Sequence, residues 1–450
     1  MQDKVSLAAQ DEIHQNVELG AGSPSVGHTV LSTLLFLLAF FALFLKLPFY
    51  LLYHYVFFRH RSPLVQIAGR TPLAEMINHF AKIVFNNFPL PGSRAIFATQ
   101  LFLRGDKWIE RVTTEAGIKG VWIRPPGTER KGDELVLYWI HGGAFNHDII
   151  GSNLVFYKSL AVELNGKSDS ARQCSIFVLD YHLAPENVYP SQLIELRAGY
   201  QYLTQTLGIN PEKICLGGDS AGGNLVTSFL LHLVKPNPKL PRTGSTLTKP
   251  GSVLLMSPWT SLLPLESRPS RSSPVQATLD FLTTPTVTIG AYQYLGLEPP
   301  FAAGPSWNPL KWFGIVQDEM PHLEREDELN KLFNDPYLSP GPETLGKDNW
   351  DWYGKAFPHE GKTCVVWGGM EIFADDVESF VQALREVGVN PVELYHPLKC
   401  HDFPLFDHTF PLLSRTKTGG ESSTFDYGLK KMVEFLDGVV PPKGTTEKTL

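Results

Sequence analysis

The side chains in this chain best placed to break an acyl bond are one serine, one histidine and one carboxylate, far apart in sequence. Ser220 sits in Gly218-Asp219-Ser220-Ala221-Gly222-Gly223. The apolar run KICLG (213–217) precedes it as a buried strand, and NLVTSFLLHLV (224–234) follows with helical spacing. A strand that turns abruptly into a helix through G-x-S-x-G crowds its own backbone, so small residues must flank the serine. The hydroxyl is then left projecting beside a helix N-terminus, the arrangement called a nucleophile elbow. A Gly-rich strand-to-helix turn with an incidental serine is the competing reading, because short motifs recur by chance.

The upstream sequence weighs against chance. A second apolar run, ELVLYWI (134–140), ends in His141-Gly142-Gly143-Ala144-Phe145. Such a loop can aim the N–H groups of Gly142 and Gly143 at a developing oxyanion, with the Ala221 N–H as third donor. The base and acid are expected after the last two strands, TCVVWGG (363–369) and PVELYH (391–396). Glu371, in GGMEIFADD, follows the first; His401, in YHPLKCHDF, follows the second. The order Ser220, Glu371, His401 gives nucleophile, acid and base, all at strand C-terminal ends. His396 competes with His401 but falls at the strand end, and Asp375 and Asp376 compete with Glu371 but open a helix as capping or dipole residues. Cys400 reads as packing.

This set implies one chemistry. His401 takes the Ser220 proton during attack on an ester carbonyl and returns it to the leaving alcohol, while Glu371 fixes the imidazole tautomer. Water then clears the acyl-enzyme. No metal or cofactor is called for, and activity should fall as pH drops through roughly 6 to 7, where an ordinary imidazole gains its proton. An amidase or acyltransferase could use the same three groups. A ligand receptor on the same fold would do without them.

The elements that must position these groups alternate. Strands at 117–125, 134–140, 174–180, 213–217, 252–259, 363–369 and 391–396 interleave with helices at 154–164, 191–208, 224–234, 375–388 and 425–438. Alternation of this kind gives a mostly parallel sheet with helices on both faces. The stretch 262–345 breaks the pattern, being rich in Pro, Trp and Phe, and reads as a cap insertion; its charged segment HLEREDELNKLF (322–333) reads as a solvated helix face.

At 450 residues, 43% hydrophobic, the chain can bury a large core, and its net charge of −7 with no basic stripe excludes a nucleic-acid partner. Cys174, Cys215, Cys364 and Cys400 lack C-x-x-C spacing and read as reduced thiols. Residues 1–29 form a polar tail, and VLSTLLFLLAFFALFL (30–45) carries no charge. Sixteen helical residues span only about 24 Å, so a membrane anchor must extend through Lys46 into the aromatic segment ending at Phe58. The expected organisation is therefore a tail (1–29), a single-pass anchor (30–58), N-terminal cap helices (59–105), the catalytic domain (106–440) and a short tail (441–450). Lys46, Arg59, Arg61 and Arg70 follow the apolar run and only Lys4 precedes it, which favours a cytosolic catalytic domain.

With HGGAF (141–145), GDSAGG (218–223) and the intervening DYHLAPENVYP (180–190) taken together, residues 105–440 resemble the hormone-sensitive-lipase-like family of α/β-hydrolases, in particular its membrane-anchored arylacetamide deacetylases and fungal steryl acetyl hydrolases. The resemblance implies an α/β-hydrolase fold with a cap, hydrolysis of short-acyl esters of apolar alcohols or lipids such as steryl acetates, and residence at the endoplasmic reticulum membrane. It also implies that Tyr181, Leu183, Ala184, Pro185 and Glu186 scaffold the oxyanion loop. Anchored relatives usually face the lumen, opposite to the charge count, so both sides stay open. Glu371 stands where the family usually has Asp, and Ala144 where it often has Gly.

Overall fold

The computed structural model describes residues 106–126, 135–149, 151–166, 174–241, 246–262, 279–298, 331–409 and 426–439, together with Leu45, Pro48, Phe49 and Leu52. The expected polar tails, the anchor apart from those four positions, the N-terminal cap helices and part of the insertion lie outside the described residues. Among the described residues no helix is long and apolar enough to cross a membrane.

Eight strands form one sheet: β1 (Ile109–Thr113), β2 (Lys119–Ile123), β3 (Leu135–Ile140), β4 (Cys174–Leu179), β5 (Ile214–Asp219), β6 (Ser252–Met256), β7 (Thr363–Gly368) and β8 (Val392–His396). Their spatial order is β1-β2-β4-β3-β5-β6-β7-β8. The β1–β2 and β2–β4 pairs are antiparallel and every later pair is parallel. The central strands β3 to β7 are buried along their whole length, which is why they read as unbroken apolar runs. Strand β1 is an addition to the sequence reading. Its segment IERVT is half-exposed at the sheet edge and carries no apolar run to signal it.

Alternation along β3 shows how the two layers form. Val136, Tyr138 and Ile140 face one core, and Leu135, Leu137 and Trp139 face the other. The second core is closed by α1 (Gly151–Gly166), α7 (Phe403–Thr409) and α8 (Tyr427–Val439) through Leu154, Phe156, Leu405, Met432 and Leu436. The first is closed by α2 (Ser191–Gln201), α3 (Ala221–Val234), α5 (Asp351–Ala356) and α6 (Ala374–Glu386). Helix α2 was expected to run to 208; it ends at Gln201 and continues as one wide turn, Tyr202–Thr206.

The described part of the insertion is packed rather than loose. Helix α4 (Thr284–Tyr294) puts Tyr292 and Tyr294 into the first core, and Phe333 and Leu338 join them. The Tyr294 ring stacks on Phe145 of the HGG loop with centroids 3.7 Å apart, so the insertion rests directly on the oxyanion segment.

Candidate active site

Strand β5 ends at Asp219 and helix α3 begins at Ala221, leaving Ser220 alone at the corner with φ 52° and ψ −116°. A left-handed backbone at a residue with a side chain is costly and persists only when its surroundings enforce it. Here the Ser220 N–H donates to the Met256 carbonyl (2.9 Å), and the Ser220 carbonyl accepts from Trp259 (3.0 Å) and Asn224 (3.1 Å). Crowding explains the small neighbours: a Cβ on Gly222 would lie 1.9 Å from the Ile140 carbonyl oxygen.

The HGG loop leaves β3 through three successive left-handed residues, Gly143 (φ 101°), Ala144 (φ 52°) and Phe145 (φ 63°). Asp219 registers it against the elbow. One carboxylate oxygen accepts the Gly142 N–H at 2.9 Å, and the other accepts Trp139 Nε1–H at 2.7 Å. Tyr181 donates its hydroxyl to the His141 carbonyl (2.9 Å) and stacks on the His141 ring, and Ala184 donates its N–H to Phe145 (2.9 Å). The expected oxyanion donors were the N–H groups of Gly142, Gly143 and Ala221. The Gly142 N–H is taken by Asp219, whereas those of Gly143, Ala144 and Ala221 meet no acceptor among the described residues. Ala144 was not in the expected set because the motif was read by its glycines.

Glu371 and His401 stand where the sequence puts them, in the loops after β7 and β8, and both are buried. One Glu371 oxygen, Oε2, accepts the Ser257 hydroxyl (2.6 Å) and the Gly368 N–H (3.1 Å). Its other oxygen and His401 Nδ1 are both buried without a hydrogen-bond partner among the described residues. The two groups feel each other electrostatically. His401 Nε2 lies 3.2 Å from the Asp402 carboxylate. The ring sits between Phe281 (5.9 Å) and Phe373 (5.2 Å).

Burial raises Glu371 to about 8 against the opposing pull of His401. For His401, burial favours the neutral ring, but Asp402, Glu371 and Asp280 outweigh it and lift the imidazole to about 9. Asp219 is lifted to about 7 by burial and by Asp402, against the opposing pull of His401.

The competitors fall elsewhere. His396 accepts the Leu398 N–H through Nδ1 (3.2 Å) and packs against Phe403 and Tyr427. Asp375 and Asp376 lie in the first turn of α6. The Cys400 thiol donates to the Leu279 carbonyl as a packing contact (3.3 Å). Ser257, Asp280 and Asp402 were not singled out from sequence. Only their convergence in space marks the first two; Asp402, adjacent to the base, offered proximity as a signal.

Residues 137–320 match the family model described as alpha/beta hydrolase fold. The chain carries this fold. Its sequence is similar to hormone-sensitive lipase and to esterases over part of their length. Human hormone-sensitive lipase is 31% identical over 212 residues, covering 46% of this chain and 18% of that protein. An AB hydrolase superfamily protein of Schizosaccharomyces pombe is 29% identical over 187 residues, covering 36% of this chain and 52% of that protein. An esterase of Acinetobacter venetianus is 33% identical over 147 residues, covering 33% and 41%. The chain thus spans about half or less of the length of these curated relatives. Among solved structures, an esterase of the bacterial hormone-sensitive lipase family superposes with a TM-score of 0.55 at 22% identity, covering 83% of this chain and 99% of that one. That likeness concerns the fold alone.

Proposed function

We propose that this protein is a membrane-anchored serine hydrolase of carboxylic esters, acting on short-acyl esters of apolar alcohols or lipids, steryl acetates among them, through an acyl-enzyme at Ser220. The observation that carries the reading is the forced left-handed corner at Ser220, with Glu371 and His401 both buried in the loops after β7 and β8. In the reaction, His401 Nε2 takes the serine proton as Oγ attacks the ester carbonyl, and the amides of Gly143, Ala144 and Ala221 receive the oxyanion. The alcohol leaves with that proton, and a water deprotonated by His401 then releases the acid. Glu371 balances the imidazolium in between.

The apolar-alcohol part rests on the aromatic side chains around the loop, where Phe145 meets Trp259 and Tyr294. The anchor part rests on the uncharged run 30–45 and on the exposed apolar side chains of Leu45, Phe49 and Leu52. Relatives named esterase and hormone-sensitive lipase agree with ester chemistry. The test is labelling by a fluorophosphonate probe together with hydrolysis of p-nitrophenyl acetate and cholesteryl acetate, comparing the full chain with Ser220→Ala. Probe incorporation at Ser220 and loss of turnover in the variant are expected; unchanged turnover in Ser220→Ala refutes the reading. Resistance of the full chain to alkaline carbonate extraction from membranes tests the anchor.

A further inference from the structure

The described insertion contributes more than cover. Asp280, four residues before α4, is fully buried, and its carboxylate reaches the two loops that bear the acid and the base. One oxygen accepts the N–H of Ile372, the residue after Glu371, at 2.8 Å. The other accepts the N–H of His401 itself at 3.3 Å and that of Phe281 at 2.8 Å. A carboxylate removed from water and met, among the described residues, by backbone N–H donors is an expensive feature, tolerated when it fixes the segments that donate to it. The next residue, Phe281, lays its ring toward the His401 imidazole.

We infer that Asp280 is a positioning residue, whose carboxylate ties the Glu371 loop to the His401 loop and so makes the insertion part of the catalytic machinery. This deepens the esterase reading and rests on it for its consequence on rate. The charged and titratable groups that interact with His401 are Asp402 from its own loop, Glu371 from the loop after β7, Asp280 from the insertion and Asp219 at the end of β5. Of these, Asp280 alone also holds backbone on both sides of the acid–base pair. Ser257 makes a parallel link, donating to Glu371 and accepting the Asp402 N–H at 3.0 Å, but it brings no charge.

Asp280→Asn keeps the shape, removes the charge and turns an amide hydrogen pair toward N–H donors. Two readouts decide. The His401 imidazole is titrated by nitrogen-15 NMR, which needs no turnover, and the fluorophosphonate labelling rate is taken on the alkaline plateau, where the ring is neutral in both proteins. The expected result is a lower His401 titration midpoint and at least tenfold slower labelling, with KM for p-nitrophenyl acetate within twofold of wild type, since loop misplacement costs rate rather than ground-state binding. A titration curve that superposes on wild type overturns the inference, whether or not labelling slows, because slow labelling with an unmoved imidazole marks a merely structural residue. Labelling within twofold of wild type overturns it equally. Should Asp280→Asn be recovered unfolded, Asp280→Ser takes its place, and unfolding of both assigns Asp280 to the core and overturns the inference. A wild-type protein that neither labels nor hydrolyses esters defeats the esterase reading, while the NMR titration still decides the link between Asp280 and His401.

Discussion

Replacing Asp402 by Asn should make the enzyme faster at neutral pH, an outcome that few substitutions beside a catalytic base produce. His401 Nε2, the nitrogen that must accept the serine proton, lies 3.2 Å from the Asp402 carboxylate. Burial alone would favour the neutral ring, yet Asp402, followed by Glu371 and Asp280, raises the imidazole to about 9. A base that titrates there is neutral in only about one molecule in a hundred at pH 7, a handicap of about 3 kcal/mol on the free enzyme. Since kcat/KM reports ionisations of the free enzyme, its acid limb should lie near 9, above the 6 to 7 expected of an ordinary imidazole. Asn at 402 removes the largest of the contributions that raise the ring. It tolerates the left-handed backbone at this position (φ 49°) as Asp does, and it keeps the N–H bond to Ser257. The limb should then fall toward 7, and kcat/KM at pH 7 should rise about tenfold or more, with the alkaline plateau little changed. The assay is p-nitrophenyl acetate hydrolysis from pH 5 to 10 for both proteins, corrected for spontaneous hydrolysis. A wild-type limb already at 6 to 7, or a variant profile that overlays the wild type, refutes the reasoning.

Glu371→Gln should lower kcat by about 10³-fold or more while the protein stays folded, because the imidazole loses the carboxyl group that fixes its tautomer; strongly reduced substrate turnover beside an unchanged near-ultraviolet circular dichroism spectrum checks this. Gly222→Ala should lower the urea midpoint by an amount equivalent to about 1–3 kcal/mol and abolish probe labelling, since the added methyl meets the Ile140 carbonyl. Stability should fall as pH rises from mildly acidic to alkaline. Asp219 (about 7) and Glu371 (about 8) are raised above unfolded carboxylates, and His401 (about 9) above unfolded histidine, so the folded state holds more protons between roughly pH 4 and 9 and loses stability as pH rises through that window. Urea midpoints at pH 5.5 and 8.5 measure the slope, and a midpoint that rises with pH contradicts it.

The sequence carried the sheet because its central strands are buried on both faces and so stand out as short apolar runs bounded by Gly, Pro and charge. It carried Ser220, Glu371 and His401 for a related reason: each follows such a strand, and the crowded elbow announces itself by its glycines. What it could not carry was the bonding between distant loops. Nothing in TLDFLT distinguishes Asp280 from a surface aspartate until its oxygens meet N–H groups 92 and 121 residues away. Likewise Gly142 and Gly143 look equivalent in HGG, and only the Asp219 carboxylate, 77 residues downstream, separates the one that is clamped from the one left open. Strand β1 escaped notice for the opposite reason, as a half-exposed edge strand has no apolar signature to read.

Those long-range bonds divide the site into two independently braced halves. On the nucleophile side, Asp219 precedes Ser220 in the chain and holds Gly142, so the serine and the oxyanion loop share one rigid reference. On the proton-transfer side, Ser257 and Asp280 each link the acid loop to the base loop without touching Ser220. The halves are joined through β6: its Met256 carbonyl receives the Ser220 N–H, and Ser257, the next residue, supplies the hydroxyl held by Glu371. An error of a few tenths of an ångström at this junction moves the whole nucleophile half relative to the whole proton-transfer half, whereas an error at Asp280 displaces the acid and base loops alone. The left-handed backbone at both Ser220 and Ser257 is therefore intelligible as one feature, two corners of adjacent strands that set the distance across which the proton must pass.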